Sequence, residues 1–179
     1  MVRESLVNPM GFERRWASSS ILLVFSFVLF TALCAKVAFP LPFTPVPATL
    51  QVFSVFLVGL VAEPLEAFAV MGLYVAGGAL GVPWFANFGG YATFGYLLGF
   101  MLAAPLCSWA RTRVGSGIAC LLALLVIYVF GVSFLSFALG TGAFKGVLLG
   151  ALPFIPFDLV KALAAIKIAE RIYLYEKAV

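Results

Sequence analysis

From Trp16 to Ile166 the chain is apolar almost without interruption, and this decides what it can fold into. A water-soluble domain carries about a quarter of its residues as charges; here 10% are charged and 64% hydrophobic. The apolar runs approach or exceed the roughly 20 residues needed to cross a bilayer core. The sequence therefore predicts an all-α, polytopic membrane protein, a single integral domain over residues 1–179. Spans are expected at about 16–39, 48–62, 65–80, 94–110, 117–139 and 156–173. The breaks between them follow from residue chemistry. Pro40, Pro42, Pro45 and Pro47 each lack an N–H donor, so the stretch that holds them is expected to be irregular. Glu63–Pro64, the glycine- and aromatic-rich loop 81–93 and the connection 140–150 supply the others. Arg14 and Arg15 ahead of the first run resemble a leader peptide. That run is long enough to span, however, and its removal would strand one helix of a bundle, so it reads as the first span.

The charges sort by side. Arg3, Arg14, Arg15, Arg111, Arg113, Lys167, Arg171 and Lys177 fall on one side of the predicted spans, against Lys36, Lys145 and Lys161 outside or embedded. Positive loops stay cytoplasmic, so both termini are expected in the cytoplasm of a multi-pass cell-membrane protein. Irregular, apolar outer loops survive at membrane depth only where protein buries them or they line a cavity. A site opening outward beneath a loop lid follows.

Several chemistries are excluded. There is no histidine, hence no Ser–His or Cys–His pair and no histidine metal ligand. No G-x-x-x-x-G-K-[ST] loop is present, so the chain has no ATP site of that kind. No basic cluster suits nucleic acid. Cys34, Cys107 and Cys120 are odd in number and lie in apolar runs, as small packable side chains rather than a disulfide framework. No metal site and no catalytic residues are expected.

The sharpest positive signal is PFIPFDLVKALAA, where Asp158, the sole aspartate, precedes Lys161 by three residues on one helical face. Ionisable groups inside a membrane are costly and mark function by default; the bland alternative is an ion pair that only pins the last helix. Pro83, Trp84, Phe85, Asn87, Phe88, Tyr91 and Tyr96 form an outer aromatic loop, either a pocket wall or an interfacial belt. Gln51, Thr49 and Tyr74 are polar groups able to face the interior or to bond helix to helix. Gly77/Gly81, Gly95/Gly99 and Gly146/Gly150 read as close-packing pairs. Lys36 and Lys145 either attract an anion or snorkel to headgroups.

Four segments in order, FTPVPATLQVFSVFLVGL, GLYVAGGALGVPWFA, TFGYLLGF and LPFIPFDLVKALAA, resemble the BioY family, the biotin-binding S-components of energy-coupling-factor transporters. The resemblance spans about residues 43–165. It implies a six-helix S-component bundle that captures biotin from outside. It also implies, as partners, a transmembrane T-component and two ABC-type ATPases, with biotin as transported ligand and no cofactor in this chain. The family's helix-6 Asp and Lys fall on Asp158 and Lys161. Asp158 would accept a ureido N–H, and Lys161 would donate to the ureido carbonyl or to the carboxylate. Asn87 and Gln51 would add polar contacts, while Trp84 and Tyr96 would pack on the ring and alkyl chain. Thr31/Ala35 and Cys34/Ala38 approximate the family's small-residue docking face. Two other classes stay open: a self-sufficient secondary transporter of another small anion, and a structural subunit.

Overall fold

A computed structural model describes residues 20–86 and 90–178. The first helix, α1, is Ser20–Lys36, followed by two short strands, β1 (Ala38–Leu41) and β2 (Thr44–Thr49). Then come α2 (Gln51–Val61), α3 (Pro64–Ala79), a 3-10 turn (Gly90–Thr93), α4 (Phe94–Val114), α5 (Ser116–Leu139), α6 (Ala143–Gly150) and α7 (Ile155–Ala178). The fold is thus mostly helical, and the wholly helical expectation is corrected at the prolines. The irregular stretch expected around them is an antiparallel hairpin, pairing Ala38 with Thr49, Phe39 with Ala48 and Leu41 with Thr44. In a two-stranded hairpin each strand is an edge, where a proline nitrogen facing away from the partner removes no ladder bond. Pro40 sits at the register irregularity between Phe39 and Leu41, and Pro42 occupies the turn.

Within the described residues the helices follow the expected spans to within a few positions, with three differences. The last helix runs on to Ala178, five positions past the expected end at 173. The connection after α5 contains α6, which meets α7 at a bend of 53°. The fourth helix does not stop at Ala110 but continues to Val114, carrying Arg111 into the interior. By length and composition Gly90–Val114 and Ser116–Leu139 are each able to cross a membrane, and the bent α6–α7 pair adds a third span if counted as one. Helices α1, α2 and α3 are apolar but shorter.

The shortest of these, α2, is the most enclosed. Its 11 residues reach about 16 Å at 1.5 Å per residue, half a hydrocarbon layer of about 30 Å. It is packed by α1, α4 and α7, and Val55, Phe56, Val58 and Leu60 are fully buried. It ends at Ala62, where Glu63 and Glu66 form a capping box with Pro64 in the first turn of α3, the position at which a missing N–H is harmless. Gly95 and Gly99 face α5 at Phe134 and Ile127, in keeping with close packing. All three cysteines are buried and unbridged.

At one end of the bundle Arg111 is only 5% exposed. Its guanidinium donates to the Leu60 carbonyl and to the Tyr173 hydroxyl, with longer bonds to the carbonyls of Ala62 at 3.4 Å and Ser108 at 3.3 Å. Tyr173 in turn donates to Leu60 at 2.8 Å, and Ser108 to Ala62 at 2.7 Å. The last carbonyls of a helix lack intrahelical partners; those of α2 find theirs on α4 and α7.

Candidate ligand-binding site

At the opposite end of α2 lies a cavity of about 300 Å³. Its lining comes from β2, the start of α2, the loop after α3, α4, α5, the end of α6 and the first turns of α7. Most of the wall is apolar, including Val52, Leu97, Phe100, Ile127 and Phe154. The polar groups converge from separate elements, as is usual for small-molecule pockets.

Asp158 sits in the first turn of α7, where the helix N-terminus favours a negative charge. Lys161, one turn on, donates from Nζ to Asp158 Oδ1 at 2.7 Å. From α5 the Tyr128 hydroxyl donates to Asp158 Oδ2, also at 2.7 Å. Asp158 is 2% exposed, whereas the Lys161 side chain retains 14%. The carboxylate is therefore enclosed, with one donor on each oxygen, and the ammonium keeps two protons for something else.

Tyr96 lines the cavity and donates to the Gly150 carbonyl at 2.7 Å. Its ring lies against Gly131, where any Cβ would overlap it. Gln51 reaches the cavity with its amide already engaged, donating to the Tyr74 hydroxyl at 2.8 Å and accepting from Thr49 at 3.0 Å. Thr49 lines the cavity too, and the Gln51–Tyr74 bond joins α2 to α3. Tyr91 lines the cavity mouth, 69% exposed, with its ring edge-on to Phe134 at 5.0 Å.

Trp84 is placed differently from a wall residue. It is not among the lining side chains; it stacks on Tyr74 at 5.9 Å and donates its indole N–H to the Tyr74 carbonyl at 2.9 Å. Gly77 leaves the space that its ring fills. The neighbouring Phe85 holds the lining position instead, edge-on to Tyr74 at 5.4 Å. Lys36 donates to the Phe85 carbonyl at 3.0 Å, so this part of the loop is tied to both α1 and α3. Asn87 lies outside the described residues.

Tyr128 is the site residue that the sequence reading passed over. The available signal was modest: it is the one tyrosine in the apolar span 117–139, and a buried phenol usually seeks a partner. Nothing in the linear sequence says that the partner is Asp158, 30 residues away.

Comparison with known proteins agrees with this architecture. Residues 8–177 match the model of the BioY family. A probable biotin transporter BioY from Pyrococcus horikoshii is 40% identical over 161 residues, covering 87% of this chain and 96% of that protein. The biotin transporter BioY of Thermotoga maritima is 38% identical over 158 residues, 80% of this chain and 91% of that one. A solved S-component for biotin from an ECF-type ABC transporter matches with a TM-score of 0.79, over 90% of this chain and 94% of that one. At 20% identity, that last likeness speaks for the fold. By a family match over nearly its whole length and by relatives this similar, the chain belongs to the BioY family.

Proposed function

We propose that this protein is the biotin-binding S-component of an ECF-type uptake transporter. The observation that carries the reading is a carboxylate, an ammonium and a phenol meeting at an otherwise apolar cavity of about 300 Å³, a size within the range of small-molecule sites. Biotin presents two ureido N–H donors and one ureido carbonyl at one end and a carboxylate at the other. The Asp158–Lys161 pair is already neutral as a unit. Seating a second carboxylate beside Asp158 would bury uncompensated negative charge, which is costly. A neutral urea avoids that cost, so the ureido ring goes to Asp158 and Lys161, with Lys161 donating to its carbonyl, and the valerate points to the mouth. Tyr96 and Phe85 border the apolar body of the ligand, Gln51 contributes at the cavity edge, and Tyr91 covers the mouth. Trp84 supports the wall from behind.

In this reading the whole chain is one integral domain in the cell membrane. Six spans, with the short helices completed by their flanking segments, leave both termini in the cytoplasm. The inner face then meets a transmembrane T-component, and two ABC-type ATPases supply the energy for which this chain has no phosphate loop. The subunit binds and releases and does no covalent chemistry.

Purified protein in detergent is expected to bind radiolabelled biotin saturably, and Asp158→Ala to lose that binding. Equal binding by both would overturn the assignment. Proteoliposomes holding this chain alone are expected to accumulate no biotin; accumulation driven by an ion gradient would establish a self-sufficient transporter instead. Trp84→Phe separates support from contact. Loss of its bond to Tyr74 is expected to lower the melting temperature by about 2–4 °C while biotin affinity stays within about twofold. A large loss of affinity at unchanged stability would put Trp84 on the ligand.

A further inference from the structure

Both oxygens of Asp158 are held by donors of the protein itself, one by its helical neighbour Lys161 and the other by Tyr128 from a different helix. A carboxylate turns easily about its terminal torsion, which has broad rather than staggered minima. Lys161 alone would leave that rotation open, because an ammonium on a flexible stem follows the oxygen that it touches. A second donor, approaching from α5 while the first comes from α7, fixes the plane of the carboxylate in the cavity wall. Each carboxylate oxygen has two acceptor sites, so one on each remains for a ligand.

The same bond defines what Tyr128 itself offers. Its single proton is engaged by Asp158, so the phenolic oxygen, which borders the cavity, presents only a lone pair. The array facing the ligand is therefore two kinds of acceptor side by side, carboxylate and phenol, next to the two remaining protons of Lys161. A ring carrying N–H groups and a carbonyl brings donors for these acceptors and an acceptor for the ammonium. A ring with acceptors in place of the N–H groups meets lone pairs and is repelled.

We propose that Tyr128 is a positioning residue for biotin recognition: it locks the plane of the Asp158 carboxylate and turns its own oxygen into an acceptor, so that the site selects for N–H donors. The inference rests on the biotin reading above and deepens it. A purely structural pin between α5 and α7 would hold the helices together without setting the state of the carboxylate, and this difference is measurable.

Asp158 is the only aspartate in the chain, so carboxyl-¹³C-aspartate labelling places a single side-chain reporter in the protein, on the group in question. The experiment compares wild type with Tyr128→Phe, which keeps the ring and its packing, in three measurements: ligand-free melting temperature, biotin Kd, and the ¹³C carboxyl signal of Asp158 without ligand. Expected are a melting temperature lowered by several degrees, because a bond to a buried charged group is lost without ligand, a Kd weakened by roughly tenfold or more, because binding must then also fix the carboxylate plane, and a carboxyl signal displaced before any biotin is added. A Kd equal to wild type overturns the proposal. So does a weakened Kd with an unmoved carboxyl signal, which would make Tyr128 a packing residue. Failure of the wild type to bind biotin overturns the biotin reading itself and this inference with it; binding by wild type with an unaltered variant removes this inference alone.

Discussion

Lys161→Met is expected to weaken biotin binding by two to three orders of magnitude. The side chain is kept at similar length and the fold at similar packing; only the charge and its protons are removed. Two separate losses are expected. In the proposed pose the ligand loses its cationic donor, and Asp158, 2% exposed, loses the charge at 2.7 Å that compensates it. The second lowers stability; the first lowers affinity, by about 2–5 kcal/mol when one partner of a buried, hydrogen-bonded charge pair is truncated, and the partial exposure of Lys161 places the present case toward the middle of that range. At about 1.4 kcal/mol per decade that corresponds to the stated range. The neutral double variant Asp158→Asn/Lys161→Met separates the two losses. It is expected to recover thermal stability, because no lone charge remains, but not affinity, because the recognition pattern is gone. Isothermal titration or filter binding with labelled biotin reads the first quantity and ligand-free thermal unfolding the second. Wild-type affinity in Lys161→Met would reduce the pair to a pin for α7.

The second large effect is expected at the other end of the bundle and in stability rather than binding. Arg111→Leu removes the donor group that joins the end of α2 to α4 and α7 through Leu60, Ala62, Ser108 and Tyr173. Tyr173 and Ser108 still reach Leu60 and Ala62, so the carbonyls keep one partner each and the loss is that of a shared network rather than of every bond in it. About 2–4 kcal/mol is expected, a fall of roughly 5–15 °C in melting temperature for a chain of this size. Tyr173→Phe costs less, and the double variant less than the sum of the two, since both residues act on Leu60. Biotin affinity of the folded fraction should hold, because the cavity lies at the far end of α2. Strict additivity, or an unmoved melting temperature, would show that these bonds are not a unit.

These two regions were unequally legible. Asp158 and Lys161 could be read directly, because three-residue spacing on a helix fixes a shared face and because charge is so scarce here that a buried pair stands out. Arg111 stands in the sequence as the exit from a span, by the rule that places positive charge on the cytoplasmic side. That rule counts charges by side and has no means of seeing that a guanidinium is turned inward to cap a helix far away in sequence. The aromatic loop divides on the same ground. Composition leaves it open between pocket wall and interfacial belt, and whether Trp84 or Phe85 faces the cavity depends on the direction of the chain as it leaves α3, where Gly77 admits the larger ring. The prolines do break the helix, but a broken helix can become an edge strand as well as an irregular loop, and proline tolerates both settings. Tyr128 was hidden because its partner is defined only by the packing of α5 on α7.

The hairpin between α1 and α2 has a consequence for affinity. Capture of a small ligand normally sacrifices part of the contact energy to immobilise the segments that close over it, about 0.5–1.5 kcal/mol for each flexible side chain fixed. The segment contributing Val46, Pro47 and Thr49 to the cavity has little such freedom to lose. Pro40, Pro42, Pro45 and Pro47 restrict its backbone even when it is unpaired, and Thr44 fastens it to the Leu149 carbonyl at 2.7 Å. With its backbone restricted in this way, contact made there carries little entropic discount, and replacing the prolines is expected to loosen the complex without removing a single ligand contact.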